Sequence, residues 1–474
     1  MMSTRFSKGQ KILWAVFLVS LPISSFPYFP GGVGGDTLVR PLALYPLAAL
    51  LVLVTLPRLF TKPIPRTVLP LAAFALVALA STVLAHARGI DSNINVSVAS
   101  RSVRMLLTLA LGGAFYLTVT LTPDSEAMLR FSLRWLFVGL ILALIWGSLQ
   151  AVYVLKFNPA YFDFLSKMQK FVSTRRLFAR RVSGMTYEPS WFAEQIAFLW
   201  MPWLFAAVIS NQTVFGWRFR RLTVETMLLP WAAVILMLTY SRSGLAYFVI
   251  QLVLAFLLWP RKKRLKVRNW KILFKRVAQV GLILVILVAI AFLVGTRNNY
   301  FSRLWRFWSD EEATGTYFQY IAFSQRFAYW ETAYQLFEQY PVLGIGLGNF
   351  TFYFEDALSD RPLRPTPELL RKFVPEEGHH PIIVTRNLLA RILVETGLLG
   401  TATFLAFLVA ILGSVGYLWM GPTVEQRFWG RAGLLGLVVF VGVAFSVDSF
   451  AIPNMWILFG LVTSAAQVYA PGVT

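Results

Sequence analysis

The run ILWAVFLVSLPISSFPYF, from Ile12 to Phe29, carries no charge and follows Arg5, Lys8 and Lys11. A helix rises about 1.5 Å per residue, so a run of this length approaches the roughly 30 Å hydrocarbon core of a bilayer. It lacks a small-residue cleavage site, which predicts a retained anchor helix rather than a signal peptide, with a cytoplasmic N-terminus. Further apolar runs begin near residues 42, 67, 105, 135, 190, 226, 244, 277, 397, 431 and 454. Together they predict about twelve transmembrane helices.

Composition points the same way. With 57% hydrophobic and 14% charged residues over 474 positions, the chain has more apolar surface than a soluble core can hide. An all-α integral membrane protein is expected. The chain contains no cysteine, which excludes disulfides and thiolate metal sites and leaves the redox compartment open. The net charge of +22 is read as topology rather than nucleic-acid binding, because cytoplasmic loops of membrane proteins collect Lys and Arg. The expected organisation is helices one to nine with short loops over 1–295, a large helical loop over 296–396, and helices ten to twelve over 397–474.

Counting alternately from a cytoplasmic N-terminus puts Arg58, Lys62 and Arg66 inside, then Arg130 and Arg134, then Arg218, Arg220 and Arg221. The run Arg261-Lys262-Lys263-Arg264 falls inside as well and reads as an orientation signal with anionic-lipid contact. Both termini are then cytoplasmic. The intervals 87–104, 156–195 and 296–396 fall outside. They are rich in arginine, among them Arg175, Arg176, Arg180, Arg181, Arg326, Arg386 and Arg391. Long outer loops need no such excess for orientation. Guanidinium forks match phosphate oxygens in pairs and keep their charge when partly desolvated, so an anionic, phosphorylated substrate on the outer face is inferred. Contact with lipid headgroups or an acidic surface polymer is the alternative.

Arg242 lies in Thr239-Tyr-Ser-Arg-Ser-Gly244, where two apolar runs are separated by almost nothing. An ionisable group there is costly unless it lines a cavity or has a partner. An anionic ligand is one such partner, and snorkelling to headgroups is the bland reading. In the long loop, Arg326, Trp330, Ala333, Tyr334 and Phe337 recur at three- and four-residue steps, predicting one face of an amphipathic helix that Pro341 ends. The glycines at 344, 346 and 348 follow no strand and have no acidic ribose partner, so they read as a packing turn rather than a phosphate cradle.

Candidate proton acceptors are few. An imidazole can take a proton from a hydroxyl at neutral pH, which makes His379 and His380 candidates, beside the plain reading of a surface pair. No further histidine or cysteine lies nearby to complete a zinc site, and no metal is expected. Glu188, entering the sixth apolar run, can cap that helix, pair with arginines or act as a base. Glu395 has the same choice, with Arg391 one turn earlier as a structural partner.

In order along the chain, Arg181-Val-Ser-Gly-Met-Thr-Tyr-Glu-Pro-Ser190, Thr239-Tyr-Ser-Arg-Ser-Gly244, Arg326 with Trp330, Pro341-Val-Leu-Gly-Ile-Gly-Leu-Gly-Asn-Phe350, and Arg386-Asn387 with Glu395-Thr-Gly-Leu-Leu-Gly400 resemble the O-antigen ligase and polymerase superfamily. The resemblance covers about residues 180 to 400 by motif and the rest by helix number alone. It implies a membrane glycosyltransferase of the GT-C type in the bacterial inner membrane, working on the periplasmic face. Such an enzyme moves a glycan from undecaprenyl pyrophosphate to an acceptor sugar hydroxyl without cofactor or metal.

By that resemblance Arg242 and Arg326 bind the pyrophosphate, with Arg181 and Arg386 as further candidates, while Asn387, Trp330 and Glu395 serve the acceptor or the structure. Expected partners are the lipid-linked glycan, an acceptor glycan or lipid, membrane lipids, and a chain-length regulator or flippase. Many members carry His-Asn where this chain has Arg386-Asn387. The imidazole must come from His379 or His380, or Glu188 replaces it, or stabilisation of the leaving pyrophosphate carries the rate. The missing histidine and the Tyr-Glu-Pro-Ser segment favour a polymerase of lipid-linked repeat units over a ligase acting on lipid A core. A flippase of lipid-linked glycan is the reading from another class. It predicts charges spread along the helices and repeat symmetry between halves.

Overall fold

The computed structural model of the chain describes residues 7–28, 39–90, 96–220, 222–259, 323–359 and 382–470. The predicted ninth span near 277, the basic run from Arg261, the pair His379-His380, and residues 296–322 and 360–381 of the polar interval lie outside them.

The described residues are helical almost throughout. In chain order the helices are α1 (Lys8–Ser20), α2 (Leu44–Thr61), α3 (Val68–Arg88), α4 (Val98–Leu121), α5 (Glu126–Leu155), α6 (Pro159–Gln169), α7 (Pro189–Ser210), α8 (Val224–Leu238) and α9 (Arg242–Leu258). They continue with α10 (Phe323–Gln339), α11 (Phe350–Ser359), α12 (Leu388–Trp419), α13 (Val424–Ala444) and α14 (Pro453–Tyr469). A two-residue hairpin, β1 (Arg218–Phe219) with β2 (Leu222–Thr223), connects α7 to α8. Local chemistry sets many of the starts. Ser97, Ser125, Thr223, Ser241, Asn387 and Thr423 each accept a first-turn backbone N–H through the side chain, and Pro159, Pro189 and Pro453 stand at first helical positions, where their missing N–H costs nothing.

Seven of these helices, α2, α3, α4, α5, α7, α12 and α13, are long and apolar enough to cross a membrane. The chain is a multi-pass all-α membrane protein. The predicted runs at 12, 226, 244 and 454 form the shorter helices α1, α8, α9 and α14. The anchor expected over 12–29 is helical only to Ser20. Pro22 and Pro27 disfavour helix for the residues before them, and the chain turns extended, with the Phe26 N–H donating to Arg40 O at 2.8 Å and Arg40 N–H to Ser24 O at 2.9 Å.

Helix α7 forms the centre of the bundle: 94% of its apolar window is buried within the protein, and Trp200 and Trp203 on it are fully covered. Helix α14 is buried from Pro453 to Ala465 beside it. The outer helices instead divide into two stripes. On α3, Phe74, Ala78, Ser81, Thr82 and Ala85 face the protein, while Leu69, Leu76 and Val83 are more than half exposed and suit lipid. At one end of the bundle Arg58 Nη1 donates to Leu121 O and Thr122 O at 2.6 Å each, and its Nη2 pairs with Asp124 at 3.1 Å. A guanidinium on the last carbonyls of α4 satisfies orphan acceptors at the negative end of that helix.

The apolar run that starts near 397 lies inside a longer helix. Helix α12 starts at Leu388, and Gly397 (φ 63°, ψ −163°) is a break inside it. The segment after α10 repairs that break. Ile345 N–H and Gly346 N–H donate to Val394 O and Glu395 O, each at 3.0 Å, and Leu398 N–H donates back to Pro341 O at 2.8 Å. Irregular backbone inside a membrane helix persists only where other protein groups satisfy it. The glycine turn is therefore a packing device. A Cβ on Gly344 would stand 2.4 Å from Val394 O, and one on Gly397 2.4 Å from Val342 C. Gly397→Ala forces an L side chain into the left-handed region, which costs about 1–3 kcal/mol before the clash is counted. A lowered Tm in detergent is the expected result; an unchanged Tm would show that the break relaxes freely.

Candidate functional site at the arginine face

The loop preceding α7 is fixed to the turn that carries Arg242. Arg181 Nε donates to Thr239 O at 2.8 Å, and Val182 N–H donates to Leu238 O at 3.0 Å. Tyr240 takes a left-handed conformation (φ 49°), after which Ser241 Oγ accepts from Gly244 N at 3.4 Å and starts α9. Arg242 is the first residue of that helix, exposed at its positive end. Arg181 thus shapes the Arg242 turn through at least one of its nitrogens.

Helix α10 brings Arg326 to the same place. The buried stripe of α10 runs through Ala328, Tyr329, Thr332, Ala333 and Leu336, a rotation away from the predicted face, since Tyr334 is 56% exposed. Arg326, Trp330 and Phe337 flank the stripe half-buried. Trp330 packs edge-on against Phe445, at the end of α13, with centroids 5.7 Å apart, and so holds the start of α10 over the bundle. Arg326 makes no hydrogen bond or ion pair among the described residues. Burial holds its guanidinium below the ordinary value, and the neighbouring charges of Arg386 and, to a lesser degree, Arg242 push the same way, with the Tyr247 phenol opposing. Three arginines from separate parts of the chain share one electrostatic neighbourhood, and among the described residues no carboxylate stands among the groups acting on Arg326.

Arg386 is exposed with φ 49°, and its backbone N–H donates to Asp448 Oδ2 at 3.0 Å. Asn387 caps α12, its Oδ1 accepting from Leu389 N at 2.9 Å and Ala390 N at 3.1 Å. Glu395 is buried against Arg391, with Nε–Oε2 at 2.8 Å. Glu188 pairs with Arg175 at 2.8 Å and accepts from Ser190 Oγ at 3.2 Å, and the Arg175 guanidinium also lies over the Phe178 and Tyr187 rings. Of the predicted residues, Arg242, Arg326 and Arg386 are brought together, Arg181 and Trp330 position them, and Asn387, Glu395 and Glu188 have structural partners. Among the described residues no group of three or more His, Asp or Glu could hold a metal.

Two residues at this face escaped the sequence reading. Tyr247 Oη bonds Gly442 O at 2.9 Å and Ser446 Oγ at 3.0 Å and lies within electrostatic range of both Arg326 and Glu194. Glu194 is buried inside α7. The available signal was its acidity within an apolar run, which by itself marks a position for scrutiny.

Compared with models of protein families, residues 227–405 match the one described as O-antigen ligase. The matched stretch begins in α8 and ends in α12, and so includes Arg242, Arg326 and Arg386. No curated protein matches the chain.

Proposed function

On the premise that residues 227–405 are an O-antigen ligase domain of the ligase and polymerase type, we propose that the protein polymerises a lipid-linked polysaccharide repeat unit. The glycan leaves undecaprenyl pyrophosphate and joins an acceptor sugar hydroxyl on a second lipid-linked chain. The observation that carries this reading is the gathering of Arg326, Arg386 and Arg242, with no carboxylate among the described residues acting on Arg326. Pyrophosphate supplies the missing negative charge, and its charge grows as the glycosidic bond breaks, so guanidinium forks bind it most tightly in the transition state. The countercharge for the leaving group comes from arginine, and the reading needs no metal.

Orientation follows from the same charges. Arg58, Lys62, Arg130, Arg134 and Arg218 lie toward the end opposite the arginine face, which fits a cytoplasmic end of an inner-membrane protein, with both termini there and the site on the periplasmic side. A chain-length regulator or a flippase is the expected protein partner. The family's description favours a second reading, a ligase that delivers the glycan to lipid A core. Against it stand Arg386 at the customary histidine position and the Glu188 segment. The purified protein in detergent, given an undecaprenyl-pyrophosphate-linked repeat unit alone, is expected to produce a ladder of lengthening products. Transfer only when lipid A core is added would establish the ligase. The absence of any transfer would favour a flippase.

A further inference from the structure

The conspicuous unused feature of the bundle is a cavity of about 20 Å³ beside α7, lined by Ser24, Thr186, Trp191, Glu194, Gln195 and Asn454 among others. That is room for one water-sized group or a single hydroxyl. Its walls are mostly apolar, with Val39, Ile452 and Pro453 among them, and carry a few polar atoms. Gln195 Oε1, Asn454 Oδ1 and Ser24 Oγ are buried without a hydrogen-bond partner among the described residues. The orientation of Gln195 is fixed, because its Nε2 donates to Leu21 O at 2.7 Å. The Glu194 carboxyl, 7% exposed, has no ion pair or hydrogen bond among the described residues. Unsatisfied buried acceptors are costly, and here they line the same space as a carboxyl group.

The position of Tyr247 relates this cavity to the arginine face. Helix α9 packs its first turns directly on α7: a Cβ on Gly244 would meet Ala193 Cβ at 2.6 Å, and Gln251 Nε2 donates to Ala197 O at 2.7 Å. Tyr247 lies between those two contacts along α9 and is within electrostatic range of both Glu194 and Arg326. The Gly244–Ala193 contact sets the turn that carries Arg242 directly against the stretch of α7 that carries Glu194. An in-line displacement at a sugar carbon places the attacking hydroxyl opposite the leaving group. A base for that hydroxyl needs a carboxyl that no arginine holds, as is true of Glu194 among the described residues.

We propose that Glu194 is the proton acceptor for the acceptor sugar hydroxyl, which enters beside the cavity walled by Gln195, Asn454 and Ser24; this rests on the glycosyl-transfer reading above. In the step, the acceptor oxygen forms a bond to the sugar C1 and the C1–O bond to pyrophosphate breaks. The hydroxyl proton passes to the Glu194 carboxylate, and the bonding pair leaves with the lipid pyrophosphate. Among the described residues, Tyr247 from α9 is the titratable group in electrostatic range of Glu194, and the other elements around the cavity present neutral Ser24, Thr186 and Asn454. Glu188, at the start of the same helix, is held by Arg175.

The test is turnover across pH with an undecaprenyl-pyrophosphate-linked repeat unit, comparing wild type, Glu194→Gln and Glu194→Asp. Glu194→Gln is nearly isosteric, so a merely structural group would leave kcat and its pH profile unchanged. The expected result is a fall in kcat of at least about 100-fold with donor KM unchanged and the base-dependent limb of the profile lost. Glu194→Asp is expected to keep that limb at an intermediate kcat. A Glu194→Gln protein with wild-type kcat and profile overturns the inference and leaves the function standing. If Glu194→Gln fails to insert, Glu194→Asp decides: a wild-type kcat together with a wild-type profile overturns the proposal, and a reduced kcat with the limb retained supports it. Wild type that transfers nothing to any acceptor overturns the glycosyl-transfer reading, and this inference with it.

Discussion

Arg326→Ala is expected to lower kcat/KM for glycan transfer by about 10²–10³-fold, with the protein inserted and folded as before. Folding should survive because the Arg326 side chain makes no hydrogen bond or ion pair among the described residues, and its helix is held by the stripe from Ala328 to Leu336. The loss should fall mainly on kcat. Without ligand, Arg326 is half-buried against the like charges of Arg386 and Arg242, an arrangement that an arriving dianion relieves. The relief is greatest when the pyrophosphate oxygen takes up the charge of the broken bond. Arg326→Lys keeps the charge and loses the two-pronged fork, so an intermediate rate is expected. The measurement is turnover on a lipid-linked repeat unit, with insertion checked by detergent Tm. Near-normal turnover in a folded Arg326→Ala protein would refute the clamp.

The sequence disclosed the helices better than their junctions. Counting apolar residues placed starts near 42, 67 and 190, close to the observed Leu44, Val68 and Pro189, because lipid demands long uncharged stretches and little else satisfies them. The same counting started a run at 397 and missed the helix that precedes it from Leu388, since Arg391 and Glu395 look polar in a list but pair with each other inside α12. It passed over Glu194 for the converse reason: one acid within Phe-Ala-Glu-Gln-Ile-Ala hardly disturbs an apolar average. The arginine site was legible as a set of candidates and not as a place. Nothing in the spacing of 242, 326 and 386 says that three separate parts of the chain meet, and nothing in the sequence says that Arg181 Nε donates to Thr239 O. The glycines at 344 and 346 were readable as a packing turn, though their target, the break at Gly397, became visible only in three dimensions.

Glu395→Ala is expected to destabilise the protein by about 3–5 kcal/mol, the cost of leaving one member of a buried pair without the other. The side chains of Arg391 and Glu395 are 6% and 4% exposed, so water cannot take the place of the lost carboxylate. Arg391 Nη2 already lacks a partner among the described residues, which leaves the guanidinium little room to compensate. The double variant Arg391→Met with Glu395→Leu removes both charges at similar volume and should recover most of the loss in detergent Tm. Activity should not follow stability. Arg391 Nη1 donates to Asp448 O, and Asp448 Oδ2 receives the Arg386 backbone N–H at 3.0 Å, so the pair positions one arm of the arginine face through Asp448. A double variant stable yet slow, with kcat reduced, is the expected outcome. Full activity in that variant would mean that Asp448 holds Arg386 without help from the pair, and equal stability of the single and double variants would mean that the two charges are uncoupled.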